Sequence, residues 1–341
     1  RNMELYPDAH YVLTADIVLP EAGEGGSNFA PLFSDKGMFG GTLDGQGHKI
    51  VNLTVYNTET FYSGLFSCIS ASGSVTNLTL ENASVSGTNY IGGIAGYALG
   101  AVTDCTVSGS ITYIGTNSNK VFAGGIAGRA EASVDGCVTD VTITIEDAHA
   151  ETNVGGIVGY LSYGGSEDPM TLSASGSITA SSSDTVSAGG LIGCSSGGLY
   201  LSASYATGNV TSTGGSISSY AGGLVGYGGS TVTDSYATGD VTSTSNNSYA
   251  GGLVGSGDST VTSSYATGDV TSTGNGSDSY AGGLVGKGGD ITITDSYATG
   301  SVTIQNGWYS YAGGLIGYDI HDLTITDSYA TGSVTIQDGW Y

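Results

Sequence analysis

Thirty acidic side chains, four histidines and four cysteines are the residues of this chain whose types could support chemistry. His10, His48, His149 and His321 stand apart, with no partner at metal-ligand spacing. Cys68, Cys105, Cys137 and Cys194 form no Cys-x-x-Cys pair, so zinc and dithiol chemistry find no support. No Gly-x-Ser-x-Gly elbow leads into a helix, and the glycine-rich runs flank β-prone residues instead of cradling phosphate. Carbohydrate cleavage needs a cluster of carboxylates on one face. Asp44 with Asp16 and Glu81 is the one grouping worth inspecting, and Asp44-Gly45 reads as a turn. The expectation is a chain with no catalytic residues, no metal and no cofactor.

Other residues recur too regularly to be incidental. Tyr205, Tyr236, Tyr265, Tyr297 and Tyr329 each sit in a Ser-Tyr-Ala-Thr-Gly pentad. A second aromatic series runs through Tyr90, Phe122, Tyr220, Tyr249, Tyr280 and Tyr311, interrupted by Asn153 and Ser187. Rows of rings can bind a glycan or another protein chain, or they can stabilise in-register strands. Thr-Val-Thr or Thr-Ile-Thr recurs at Thr231, Thr260, Thr292 and Thr324, with both threonines on one face of a strand. A flat hydroxyl-and-methyl array suits ice, and threonine also suits any exposed strand. Asp240 and Asp269 follow the pentad where Asn209, Ser301 and Ser333 stand elsewhere, as turn-forming residues do.

What must position these residues is a repeat. Gly-Gly-aliphatic-aliphatic-Gly starts at Gly92, Gly124, Gly155, Gly189, Gly222, Gly251, Gly282 and Gly313, at spacings of 32, 31, 34, 33, 29, 31 and 31 residues. Gly64-Leu65-Phe66 is a degenerate earlier copy. Each period holds three short β-prone runs between Gly, Ser, Asn or Asp turns, and no run carries a 3.6-residue apolar period. Such a unit buries nothing alone, so successive units must stack. The predicted fold is all-β: a parallel β-helix, or β-solenoid, of about nine coils near 31 residues each. Inserted polar residues such as Gly164-Gly165-Ser166-Glu167 belong in surface loops. Cys105 and Cys137 occupy equivalent places in neighbouring units, as two buried thiols or a disulfide. The segment Ser333–Tyr341 copies Ser301–Tyr309, and a polar cap is lacking there, so the repeats are expected to continue.

Composition fits this architecture. Sixty glycines in 341 residues exceed the usage of a compact domain, and a net charge of −24 repels nucleic acid and anionic membrane surfaces. No stretch is apolar enough for a membrane span.

The Gly-Gly-Leu-Val-Gly elements followed by Ser-Tyr-Ala-Thr-Gly-Asp-Val resemble the GLUG-motif repeats of bacterial secreted and surface proteins. The stretch from Tyr11 to Ile17, with Gly41 to Ile50, is similar to the segment preceding such repeats. The resemblance implies a right-handed parallel β-helix with three short strands per coil. It spans an N-terminal segment and first coil over residues 1–60, then repeats over 61–341. It implies an extracellular, cell-surface setting and no catalytic residues. The expected function is a non-catalytic structural or adhesive segment, either a stalk or a ladder presenting Tyr205, Tyr236, Tyr265, Tyr297, Tyr329, Tyr220, Tyr249, Tyr280 and Tyr311 to a glycan or protein. End-to-end self-association is a further option. An ice-binding threonine face and a polysaccharide-active enzyme are the alternatives.

Overall fold

A computed structural model describes residues 2–337 apart from 24, 35–36, 163–167 and 276; the inserted Gly164–Glu167 and the copied Asp338–Tyr341 therefore lie outside the described residues. The chain winds as a right-handed parallel β-solenoid. Pairing begins at His10–Val12 against Thr42–Asp44 and Ile17–Val18 against Lys49–Val51, and every strand pairing that follows is also parallel. One ladder holds nine strands, from Tyr62–Ser63 to Tyr309–Gly313. Where the long Val138–Ala148 strand faces two short consecutive ones, the ladder forks into two parallel series that run on side by side to Tyr329–Ala330 and Val334–Gln337, with no barrel among the described residues.

One coil shows how the sequence produces this path. Asn247–Gly251, Val254–Ser256, Ser259–Thr262, Tyr265–Ala266 and Val270–Gly274 follow one another as five short strands. The three β-prone runs of the sequence become five because two contain their own bend. The double glycine bends one and the Thr-Gly-Asp corner bends the other. Alternation then sorts side chains. Ser248, Ala250, Leu253, Val254, Val261, Ala266, Val270 and Ser272 point into a narrow core, while Tyr249, Thr260, Thr262, Tyr265 and Thr271 face outward. At the N-terminal end Phe33, Phe39 and Phe66 fill the same core, with Phe39 and Phe66 rings 4.8 Å apart.

The double-glycine corner exists because backbone must approach backbone there. A Cβ on Gly251 would overlap the Val254 carbonyl, and one on Gly252 would overlap both Gly283 O of the next coil and the inward Ala266 methyl. The third glycine of the motif, Gly255, lies against the Ala221 backbone of the preceding coil. The corner before the tyrosine pentad needs the left-handed region instead. Asn77, Asp104, Asp234, Asp295 and Asp327 adopt φ near +50°, as do Ala203 and Ser263. Asn and Asp tolerate that conformation; alanine does not.

Two opposite outcomes follow. Gly252→Ala should lower stability by about 1–3 kcal/mol through overpacking, whereas Ala203→Asn should raise it by about 1 kcal/mol through relief of backbone strain. Urea midpoints of the two variants against the parent check both signs.

Candidate interaction faces

The outward residues stack as columns because each pairs with its equivalent one period away. Tyr205, Tyr236, Tyr265, Tyr297 and Tyr329 pair in series, and the slot continues upstream through Ser173, Val138 and Thr106. Their rings lie 4.9–5.3 Å apart and within 1–7° of parallel. This is an offset stack in which each ring covers the face of the next. Edges and hydroxyls meet solvent; flat ring faces do not, save at the two ends. Along this column a partner would meet ring edges and hydroxyls.

The second series also forms one column, extended upstream by Tyr62. Its register runs through Tyr90, Phe122, Asn153, Ser187, Tyr220, Tyr249, Tyr280 and Tyr311. Beside it stands a third column that residue identity does not reveal: Cys68, Tyr97, Arg129, Tyr160, Cys194, Tyr227, Ser256, Lys287 and Tyr318. Each follows the last residue of the Gly-Gly-x-x-Gly frame, so position marks it although residue type varies. The two columns flank the double-glycine corner and close over it. Tyr220 meets Tyr227 at 4.8 Å, Tyr311 meets Tyr318 at 4.7 Å, and Phe122 meets Tyr160 at 5.3 Å.

The chain's own cations occupy this seam. Arg129 lies 5.4 Å from the Tyr97 ring and 5.2 Å from Tyr160, and it pairs with Glu131, which also accepts the Tyr97 hydroxyl at 2.6 Å. Lys287 sits 4.3 Å over Tyr280, between Tyr249 and Tyr318. Burial lowers its ammonium below the usual lysine range despite nearby Asp278. The seam is thus a cation–π zip between coils. It consumes the ring faces on which a partner would stack.

Hydroxyl and carboxylate columns complete the surface. The Thr-x-Thr pairs at 231, 260, 292 and 324 align in four successive coils. A longer column lies on the fifth strands: Thr112, Thr144, Thr179, Thr211, Thr242, Thr271, Thr303 and Thr335. Beside it on the same face runs a second column, Thr213, Thr244 and Thr273, which continues as Gln305 and Gln337. The aspartates cap coils: Asp240 accepts the Asp269 amide at 2.9 Å, and Asp269 accepts the Ser301 amide at 2.7 Å.

The carboxylates singled out for catalysis are engaged structurally. Asp16 takes the His48 ring at 3.0 Å and the Lys49 amide at 3.1 Å; that amide, then His48, hold it below the usual range. Glu81 pairs with Lys49 at 2.8 Å, and Asp44 closes its own turn on the Gln46 amide. Cys105 and Cys137 are buried free thiols in the slot that Ser204, Ser235 and Ser264 fill later, each turned to the carbonyl two residues back.

Buried tyrosines make the seam pH-sensitive. Burial, then Tyr220, pushes the Tyr249 phenol up to about 12, and burial, then its hydrogen bond to Asp278, raises Tyr280 further. A folded-state value above the ordinary 10.0 favours the neutral ring. The contribution is complete below pH 10 and is lost as pH rises through 12. Alkaline titration at the phenolate absorbance should show the seam rings ionising above the ordinary tyrosine range, together with loss of the β-sheet circular dichroism.

Known proteins resemble this chain in part. A family model described as the GLUG motif matches residues 87–112, 217–242, 246–271 and 277–303. Halomucin of Haloquadratum walsbyi is 40% identical over 108 residues, which is 30% of this chain and 1% of that protein's length. A crystal structure provisionally named an immunoglobulin A1 protease of Bacteroides ovatus aligns over 96% of this chain and 81% of its own, with 17% identity and a TM-score of 0.46. The chain thus carries four copies of the GLUG motif, each spanning the same double-glycine corner.

Proposed function

We propose that this chain is a non-catalytic structural segment of an exported surface protein, serving as a rigid spacer that holds neighbouring parts of a longer protein at a fixed distance. The observation that carries the proposal is where the chemistry has gone. Ring faces, the Arg129 and Lys287 cations, and turn carboxylates such as Asp240 and Asp269 are spent on joining one coil to the next. A surface built that way resists bending along its axis, because every coil is tied to its neighbours by main-chain ladders and by side-chain columns. The acidity of the chain supports an extracellular place, since a net charge of −24 keeps a long exposed rod soluble and apart from anionic membrane. The GLUG repeats and the partial likeness to Halomucin support a surface setting as well.

A spacer has a property an enzyme lacks: its output is length. Excising one whole period, residues 251–281, joins equivalent positions and should leave a folded rod shorter by about 5 Å. Small-angle scattering reads the length, and circular dichroism reads the fold. Displayed on a cell, the shortened and parent rods should differ in the height of a terminal tag and in nothing else. Hydrolysis of any member of a polysaccharide panel by the parent chain would defeat the proposal.

A further inference from the structure

A notch of about 730 Å³ opens on the outside of the rod, and its origin is legible in the register. Cys194, Tyr227, Ser256 and Lys287 belong to one column; Leu199, Ser230, Ser259 and Ile291 belong to the next. Four residues, 195–198, join the two columns in one coil, and three residues, 288–290, join them three coils later. In the coils between, the Tyr227 and Ser256 corners have just Gly228-Gly229 and Gly257-Asp258. The wall is cut back over two coils and stands proud on either side.

The lining has a definite chemistry. Gly228 and Gly257 hold φ of +129° and +148°, so the floor is bare backbone that no side chain can cover. Tyr227 forms one wall; it rests on Tyr220 on one side and is 43% exposed. That makes it unlike the stacked tyrosines, whose neighbours cover them. Asp258 uses Oδ1 to accept the Gly289 amide at 2.8 Å, and the Asp290 carboxylate stands exposed next to it. Thr231 and Ser196 supply hydroxyls at the rim. Below the floor, the Ser230 hydroxyl is buried without a hydrogen-bond partner.

We propose that this notch binds a neutral carbohydrate of about two or three rings, a size that matches its volume. Sugar hydroxyls donate to Asp258 and Asp290, and a C–H face of one ring lies on Tyr227. Among the described residues no basic side chain lines the notch, and the chain's net charge is −24, so phosphorylated and sialylated ligands are repelled. A largely apolar ligand is disfavoured, because beyond Tyr227 and Leu199 the lining is backbone, hydroxyl and carboxylate. The spacer function neither requires this site nor is altered by it, so the two readings stand or fall separately.

Gly229 provides a direct test, because a Cβ there meets nothing closer than Asp258 O at 3.4 Å. Gly229→Phe should fill the notch without disturbing the coil, and Tyr227→Ala should remove its wall. Calorimetry would use maltotriose, mannotriose and triacetylchitotriose as neutral probes and sialyllactose as the anionic one. The expected result is binding of at least one neutral probe, weakened about tenfold or more by either substitution and unchanged by Tyr265→Ser, which lies on another face. If Gly229→Phe fails to fold, Tyr227→Ala decides alone. Absence of binding by all three neutral probes at millimolar concentration, equal binding of sialyllactose, or affinity indifferent to Tyr227→Ala would overturn the proposal.

Discussion

Parallel pairing between residues one period apart is the constraint from which the other features descend. When Tyr265 pairs with Tyr236 on one side and Tyr297 on the other, a single position in the repeat becomes a line on the surface. Whatever residue occupies that position is presented, multiplied, at the strand spacing. Interactions that are weak singly then accumulate, as offset ring stacks, amide-capping aspartates and cation–π contacts do here. Like charges and mismatched volumes accumulate in the same way. This explains why repeats so similar still vary at chosen places. Arg129 and Lys287 interrupt an aromatic column, and Asn209 and Ser301 flank the paired Asp240 and Asp269.

The glycines make the second demand. At the Gly-Gly corner the chain turns so tightly that the first and second strands of a coil come into backbone contact, and the aromatic columns on either side are brought together. Packing of Tyr220 on Tyr227 therefore depends on the absence of a side chain at Gly222, two residues after one ring, and at Gly226, directly before the other. The motif is thus a geometric device. Its aliphatic pair fills the core, its glycines permit the approach, and the residue after it faces outward at the seam.

Much of this was legible from spacing. The order of both tyrosine series, their interruption at Asn153 and Ser187, and the substitution of Thr106 in the first slot all follow from counting along the repeat. Three features were not. The third column hides because Cys68, Tyr97, Arg129 and Lys287 share a position without sharing a type. The eight-threonine column hides because its upstream members, Thr112, Thr144 and Thr179, sit in divergent flanks. Ring orientation hides for a deeper reason. A sequence shows that tyrosines stack, but whether they offer faces or edges depends on the tilt that a strand spacing near 4.8 Å imposes on rings that prefer closer planes. That tilt turns a row of apparent binding platforms into a seam.

The core of the later coils carries the same logic inward. Upstream coils fill their centre with Val121, Val154 and Ile145, whereas later ones use Ser212, Ser219, Ser243, Ser248 and Ser272, all buried. Serine is costly in a core unless each hydroxyl is bonded. Here Ser219 donates to Ser212 at 2.7 Å, Ser243 to Ser219 at 3.0 Å, and Ser272 to Ser248 at 2.8 Å. The ladder succeeds only while every coil supplies its member. Where Ile304 replaces the next serine, the Ser279 hydroxyl is left buried and unpartnered. A polar core is therefore tolerable in this fold because repetition provides partners, and its cost appears at the coil where repetition lapses. The serine interior thus ties each coil to the residue its neighbour supplies. The earlier, aliphatic coils are free of that tie, and they are the ones that have diverged.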